Sequence, residues 1–119
     1  MENHNGKSRR SVGSAFEETA AKWLISQGFR ILMHNFFCCF GEIDLIAEEN
    51  GTLVFVEVKY RKNDAFGDPA EAVNAAKQRK IRTAASYFLM SRGLSDDVSI
   101  RFDVVAILGQ KIRLYRNAF

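Results

Sequence analysis

Proline is nearly absent from this chain of 119 residues, where Pro69 stands alone, and only two cysteines occur. One proline beside 47% hydrophobic residues excludes a collagen-like or intrinsically disordered chain. Cys38 and Cys39 are neighbours, a spacing that suits neither an ordinary disulfide nor a zinc knuckle; beside Phe36, Phe37 and Phe40 they read as packing. No uninterrupted apolar run of about 18 residues exists, so no transmembrane helix is expected. Residues 1–10 are polar and basic with no apolar stretch behind them, unlike a secretory leader. The expectation is a cytoplasmic protein with an unstructured basic head over 1–10 and one domain over 11–119. A domain of that size buries roughly two-thirds of the surface its unfolded chain exposes, enough for a core without disulfides.

The net charge of +3 is mild, but its distribution is uneven. Glu17 to Glu57 holds seven acids (Glu17, Glu18, Glu42, Asp44, Glu48, Glu49, Glu57) and two bases, Lys22 and Arg30. Asn74 to Arg92 holds five bases (Lys77, Arg79, Lys80, Arg82, Arg92) and no acid. A one-signed helix is what a polyanion-facing surface needs, although a plain solvated face looks the same.

The pattern predicts a first helix over about Ser14 to Gln27, with Phe16, Ala20, Trp23, Leu24 and Gln27 on one stripe and Gly28 ending it. Ser14 and Glu17 fit a capping box at its start. Phe29–Phe37 reads as a strand, and Glu42–Glu48 and Leu53–Tyr60 as a hairpin about the Asn50-Gly51 turn. Asp68-Pro69 suits a short helical turn, and a long helix follows from about Asn74 to Ser91. Arg101–Leu108 and Ile112–Tyr115 complete the order α-β-β-β-α-β-β. That order predicts an α/β fold, a mixed sheet flanked by helices.

A two-residue Asn50-Gly51 loop makes facing residue numbers sum to 101. Asp44 then lies opposite Glu57, and Glu42 opposite Lys59, on one face of the hairpin. The expectation puts Ile43, Leu45 and Ala47 with Val54, Val56 and Val58 on the other, core face. Opposed carboxylates at the end of an apolar strand are destabilising unless something offsets them. Either one is protonated, or bases pair with both, or a divalent cation lies between them. Mg²⁺ prefers one or two carboxylates plus water and phosphate, which this corner offers. A salt-bridge cluster of Glu42, Asp44, Glu57 and Lys59 fits the same pattern. Asp103, interrupting an apolar strand, reads as a partner for Arg101 or another base.

GEIDLIA (41–47) followed by FVEVK (55–59) resembles the D-x(n)-(D/E)-x-K pattern of the PD-(D/E)XK nuclease superfamily. More narrowly, the chain resembles the YraN-type family of small bacterial proteins, likened to archaeal Holliday-junction resolvases. The matching stretches are Gly13–Glu17, Asn35–Ala47, Val54–Arg61, Phe66–Val73, Lys77–Lys80, Arg101–Val105 and Asn117–Phe119. The resemblance implies a restriction-endonuclease-like fold, with Asp44 and Glu57 as ligands for Mg²⁺ or Mn²⁺ and Lys59 as the catalytic lysine. Glu17 matches the helical acid that completes the site in many resolvase-like members, as a third metal ligand. Gln78 matches a polar helical residue that orients water or phosphate. Two departures stand out: Ile43 replaces the Pro of the pattern's name, and Arg82 replaces the Tyr of the glutamine–tyrosine motif.

The function so implied is a metal-dependent endonuclease-like protein acting on branched or structured DNA. Arg61, Lys62, Lys77, Lys80 and Arg82 would grip phosphates. A non-catalytic nucleic-acid-binding accessory module with a nuclease fold is the alternative, and a protein-interaction domain with an acidic salt-bridge corner is a third reading. By analogy with two-fold resolvases a homodimer is expected.

Overall fold

A computed structural model describes residues 4–63, 65, 67, 73–94 and 97–119, with backbone alone for 4–14. Its elements are α1 (His4–Ser26), β1 (Arg30–Cys38), β2 (Gly41–Glu49), β3 (Thr52–Arg61), α2 (Ala75–Ser91), β4 (Ile100–Leu108) and β5 (Lys111–Tyr115). The predicted order therefore holds, and the strand ends agree within a residue or so. The Asp68-Pro69 turn and Phe66 lie outside the described residues.

Helix α1 begins well before the expected start at Ser14. The backbone is already helical through Ser14, so a capping box there does not form; Glu17 is thereby released from a capping role. Of the expected unstructured head, residues 1–3 lie outside the described residues and 4–10 are assigned to the helix.

The five strands form one sheet in the order β1-β2-β3-β4-β5. All neighbours run antiparallel except β3 and β4, which are parallel because α2 carries the chain back across the sheet between them. The Asn50-Gly51 turn has positive φ at both residues (50° and 83°), as a tight hairpin of this hand requires. The predicted register follows from it, running from Glu49↔Thr52 to Leu45↔Val56.

Helices cover both faces of the sheet, and each face carries its own core. Ile81, Ala84, Ala85 and Phe88 of α2 pack on Ile46, Phe55, Phe102 and Val104. Ala20, Ala21 and Leu24 of α1 pack on Leu45, Ala47, Val54, Val56, Val105 and Ile107. Strand β3 is thus apolar on both faces, which is why Leu53–Val56 reads as a continuous run.

The expectation of a single core face, with Ile43 beside Leu45 and Ala47, is corrected accordingly, while Ile46 and Phe55 do share the other face. Ile43 joins the α2 core instead of the face that holds Leu45. Alternation breaks at Asp44, where the described β2–β3 pairing has already ended at Leu45↔Val56.

Asn74 caps α2, its Oδ1 accepting the Lys77 backbone N–H at 2.9 Å. Asn74→Ala is expected to lower stability by about 1 kcal/mol in urea denaturation. An unchanged midpoint would mean the cap contributes nothing.

Candidate metal and nucleic-acid site

Strand β2 loses its backbone pairing at the residue that the site needs. The Asp44 carboxylate takes over, its Oδ2 accepting the Val58 N–H at 2.8 Å. This orients Asp44 beside Glu57, close enough for each carboxyl to perturb the other. Burial, then Asp44, push the Glu57 carboxyl up to about 8, while burial raises Asp44 above its ordinary range. The two carboxyls therefore hold a proton between them more tightly than either would alone.

Helix α1 supplies the third acid. Phe16 stacks on Tyr60 with ring centroids 3.9 Å apart, fixing the helix against the C-terminal end of the central strand β3. Glu17 follows, near Asn35 and Asp44; burial raises its pKa. Asn35 lies in the middle of β1 with a left-handed φ of 54°, a conformation that asparagine tolerates better than most residues. The β1–β2 register around it, His34↔Leu45 and Phe36↔Ile43, sets it across from Asp44.

Three carboxyl groups from α1, β2 and β3 thus form a chain, with Glu42 exposed at its edge. Two lysines face them. Lys77 Nζ stands 3.1 Å and Lys59 Nζ 3.8 Å from Glu57 Oε2. Even so, this buried oxygen has no well-directed hydrogen bond, and neither has the buried Glu17 Oε1.

Among the described residues, no group of three or more His, Cys, Asp and Glu side chains stands ready to hold a metal ion. Fit to a divalent cation rests instead on the donor chemistry. Glu17 Oε1 lacks a hydrogen bond, Glu57 Oε2 has only the lysine ammoniums against it, and Mg²⁺ needs only one or two carboxylates, taking water and phosphate for the rest. The residues fit.

Of the remaining expected site residues, Gln78 turns away: its Nε2 donates to the Val73 carbonyl at 3.0 Å, and it lines a cavity of about 440 Å³ with Val104 and Phe119. Arg82, expected on phosphate, lays its guanidinium over the rings of Phe102 and Phe119 at 4.8 and 5.6 Å. The C-terminal tail brings Phe119 there, since Ala118 N–H donates to Phe102 O and Phe119 stacks on Phe102. Lys77, also expected on phosphate, reaches from the first turn of α2 to pair with Glu57 of β3. Arg61, Lys62 and Lys80 remain exposed.

Asp103 is fully buried, and the expected pairing with Arg101 is present. Arg101 donates to both of its oxygens at 2.9 and 2.8 Å, and the Asn117 N–H donates to Oδ1 at 2.9 Å. Glu49 extends this network to Arg101 and Arg116. It is a structural polar network, separate from the carboxylate chain.

Sequence reasoning missed Asn35 and the inward turn of Lys77. Nothing in the apolar run around Asn35 marks it, whereas an acid-free first helical turn carrying a lysine is a readable oddity, since a cation is disfavoured there.

Residues 16–107 match the model of the Uncharacterised protein family UPF0102. A UPF0102 protein of Lachnoclostridium phytofermentans is 48% identical over 111 residues, covering 93% of this chain and 94% of its own. One from Vibrio parahaemolyticus serotype O3:K6 is 45% identical over 113 residues, covering 93% of each chain. This chain belongs to UPF0102. The YraN-type resemblance read from the sequence is to this same family. The UPF0102 match spans Glu17, Asn35, Asp44, Glu57, Lys59 and Lys77, and stops before the C-terminal tail. No helix among the described residues of the UPF0102 chain is long and apolar enough to cross a membrane.

Proposed function

We propose that this UPF0102 chain is a metal-dependent nuclease-like protein that binds structured DNA and hydrolyses a phosphodiester bond. The observation that carries the reading is the convergence of Glu17, Asp44 and Glu57 beside Lys59, with two buried carboxylate oxygens lacking hydrogen bonds. The D-x(n)-(D/E)-x-K resemblance adds to it, because its acid, acid and lysine are the residues brought together.

Asp44 and Glu57 would hold Mg²⁺ or Mn²⁺, with Glu17 beside them, and the bound ion would supply Lewis-acid stabilisation and a more acidic water. The chain's own residues do the rest. Asp44 is locked by the Val58 N–H, so its carboxyl faces a fixed direction. Lys59, two residues beyond Glu57 on the same strand, neutralises charge gathering on the phosphate as water attacks phosphorus and the P–O bond breaks. Exposed Arg61, Lys62 and Lys80 hold the flanking phosphates.

The test is a cleavage panel of single-stranded, duplex, flap and four-way DNA with Mg²⁺ or Mn²⁺. Wild type is compared with the Asp44→Asn/Lys59→Ala double variant, purified identically. Metal-dependent products from wild type alone support the nuclease. Salt-sensitive binding by both without cleavage would replace it with the accessory-module reading, and equal cleavage by both would remove the site from this corner.

Two further outcomes are expected. Mn²⁺ at about 100 times its Kd should raise unfolding stability by about 2.7 kcal/mol, and Asp44→Asn should lose that gain. A salt-bridge cluster would show no such gain in wild type. Replacing Arg61, Lys62 and Lys80 by Ala should flatten the plot of log affinity against log salt by about 0.9 for each phosphate no longer held. An unchanged slope would place the DNA elsewhere.

A further inference from the structure

Lys77 is in an unfavourable place for a lysine. It sits in the first turn of α2, where the helix dipole is positive and no acidic residue offsets it. Its own backbone N–H is taken by the Asn74 cap, so the side chain has no capping role there. What holds its ammonium is Glu57, 3.1 Å away across the gap between helix and sheet. Lys59 is farther from the same oxygen, at 3.8 Å, and its side chain is the less exposed of the two (23% against 36%). Lys77 therefore has both the closer approach and the more open path back to solvent.

The oxygen that Lys77 covers is one of the two that fit a divalent cation. An ammonium and a divalent cation cannot both lie against it, because like charges at that separation repel strongly in a partly dry site. Resting on the nuclease reading above, we propose that Lys77 is an internal counter-ion of the carboxylate site. It holds Glu57 until a divalent cation takes its place, and then swings its ammonium to the nucleic-acid phosphate that arrives with the cation. Metal and DNA phosphate binding are coupled through one side chain: what the lysine yields at Glu57 it regains on the phosphate. No bond is made or broken in this exchange.

The coupling is read in two ways. Mn²⁺ affinity is measured by titration calorimetry at fixed pH and ionic strength for wild type, Lys77→Met, Lys77→Arg and Asp44→Asn. Binding of a labelled four-way DNA is then measured in EDTA and in Ca²⁺. Lys77→Met should bind Mn²⁺ about tenfold more tightly than wild type, because the competing charge is gone. Lys77→Arg should stay near wild type, which a merely structural loss would not do. In EDTA, Lys77→Met should bind DNA like wild type, and in Ca²⁺ it should lack the gain in DNA affinity that wild type shows.

Asp44-dependent Mn²⁺ binding that is equal or weaker in Lys77→Met would overturn the counter-ion role while leaving the metal site standing. Loss of DNA affinity in EDTA would likewise overturn it, making Lys77 an ordinary phosphate ligand. Mn²⁺ binding in none of the variants, or binding untouched by Asp44→Asn, would remove the nuclease reading and this proposal together.

Discussion

Asp103→Ala is expected to destabilise the protein by about 3–5 kcal/mol, the largest effect of any single polar substitution proposed for it. The side chain is fully buried in β4 and accepts three hydrogen bonds, two from Arg101 and one from the Asn117 N–H. Removing it leaves a largely buried guanidinium with Glu49 as its remaining partner and frees the start of the C-terminal tail. That tail holds Phe119 on Phe102, so the stacking of these two rings is weakened as well. By contrast, Arg116→Ala should change stability by at most about 1 kcal/mol, because half-exposed ion pairs contribute little. The double variant Arg101→Met/Asp103→Leu should be more stable than Asp103→Ala, since no charge is left unpaired. Urea denaturation of the four proteins checks this, and an Asp103→Ala midpoint matching that of Arg116→Ala would show that the network is dispensable.

The metal-free protein should lose on the order of a few kcal/mol of stability as pH rises from 5 to 8. Glu57 has an ordinary value of 4.5 and is pushed up to about 8, first by burial and then by Asp44. The folded state keeps a proton that the unfolded chain releases. The contribution is therefore fully present below about 4.5 and is lost as pH climbs through the window up to about 8. Glu49 has the opposite sign. Arg116 above all, and Arg101, hold it down at about 2 against some desolvation, so its contribution is present above 4.5 and fades as pH falls towards 2. Stability should accordingly pass through a maximum on the acid side of neutrality. Glu57→Gln should flatten the alkaline slope and leave the acid limb intact. Thermal melts from pH 3 to 9 in EDTA decide the matter, and a flat profile between 5 and 8 in wild type would mean that Glu57 is ionised in the folded protein. Mn²⁺ should be most stabilising near pH 8, because it competes with the proton for the same carboxylate.

Much of this molecule was readable from local chemistry. Asn50-Gly51 dictates its turn, because both central residues need positive φ, and that turn then sets the β2–β3 register residue by residue. Asp44 and Glu57 came out adjacent for this reason, although not by the expected route. Backbone pairing was expected to carry through to them; instead the Asp44 side chain captures the Val58 N–H and the strand face flips at Ile43. Period-two alternation has no means of announcing such a break, since it depends on which group reaches an amide first.

Arg82 and Gln78 make the same point on α2. Their spacing on a basic helix is visible, but the partners that claim them, Phe119 and the Val73 carbonyl, arrive from other parts of the chain.

The order of elements, the hairpin register and the acid, acid and lysine set were all legible along the chain. These follow from short-range rules: turn chemistry, side-chain period and hydrophobic patterning act over a few residues. That Glu17 meets Asp44 and that Lys77 covers Glu57 came from the three-dimensional packing alone. Each joins groups from separate elements, and the meeting exists only once the α1 and α2 cores have packed on opposite faces of the sheet. The burial that forms those cores is also what raises the carboxyls and leaves two of their oxygens without hydrogen bonds.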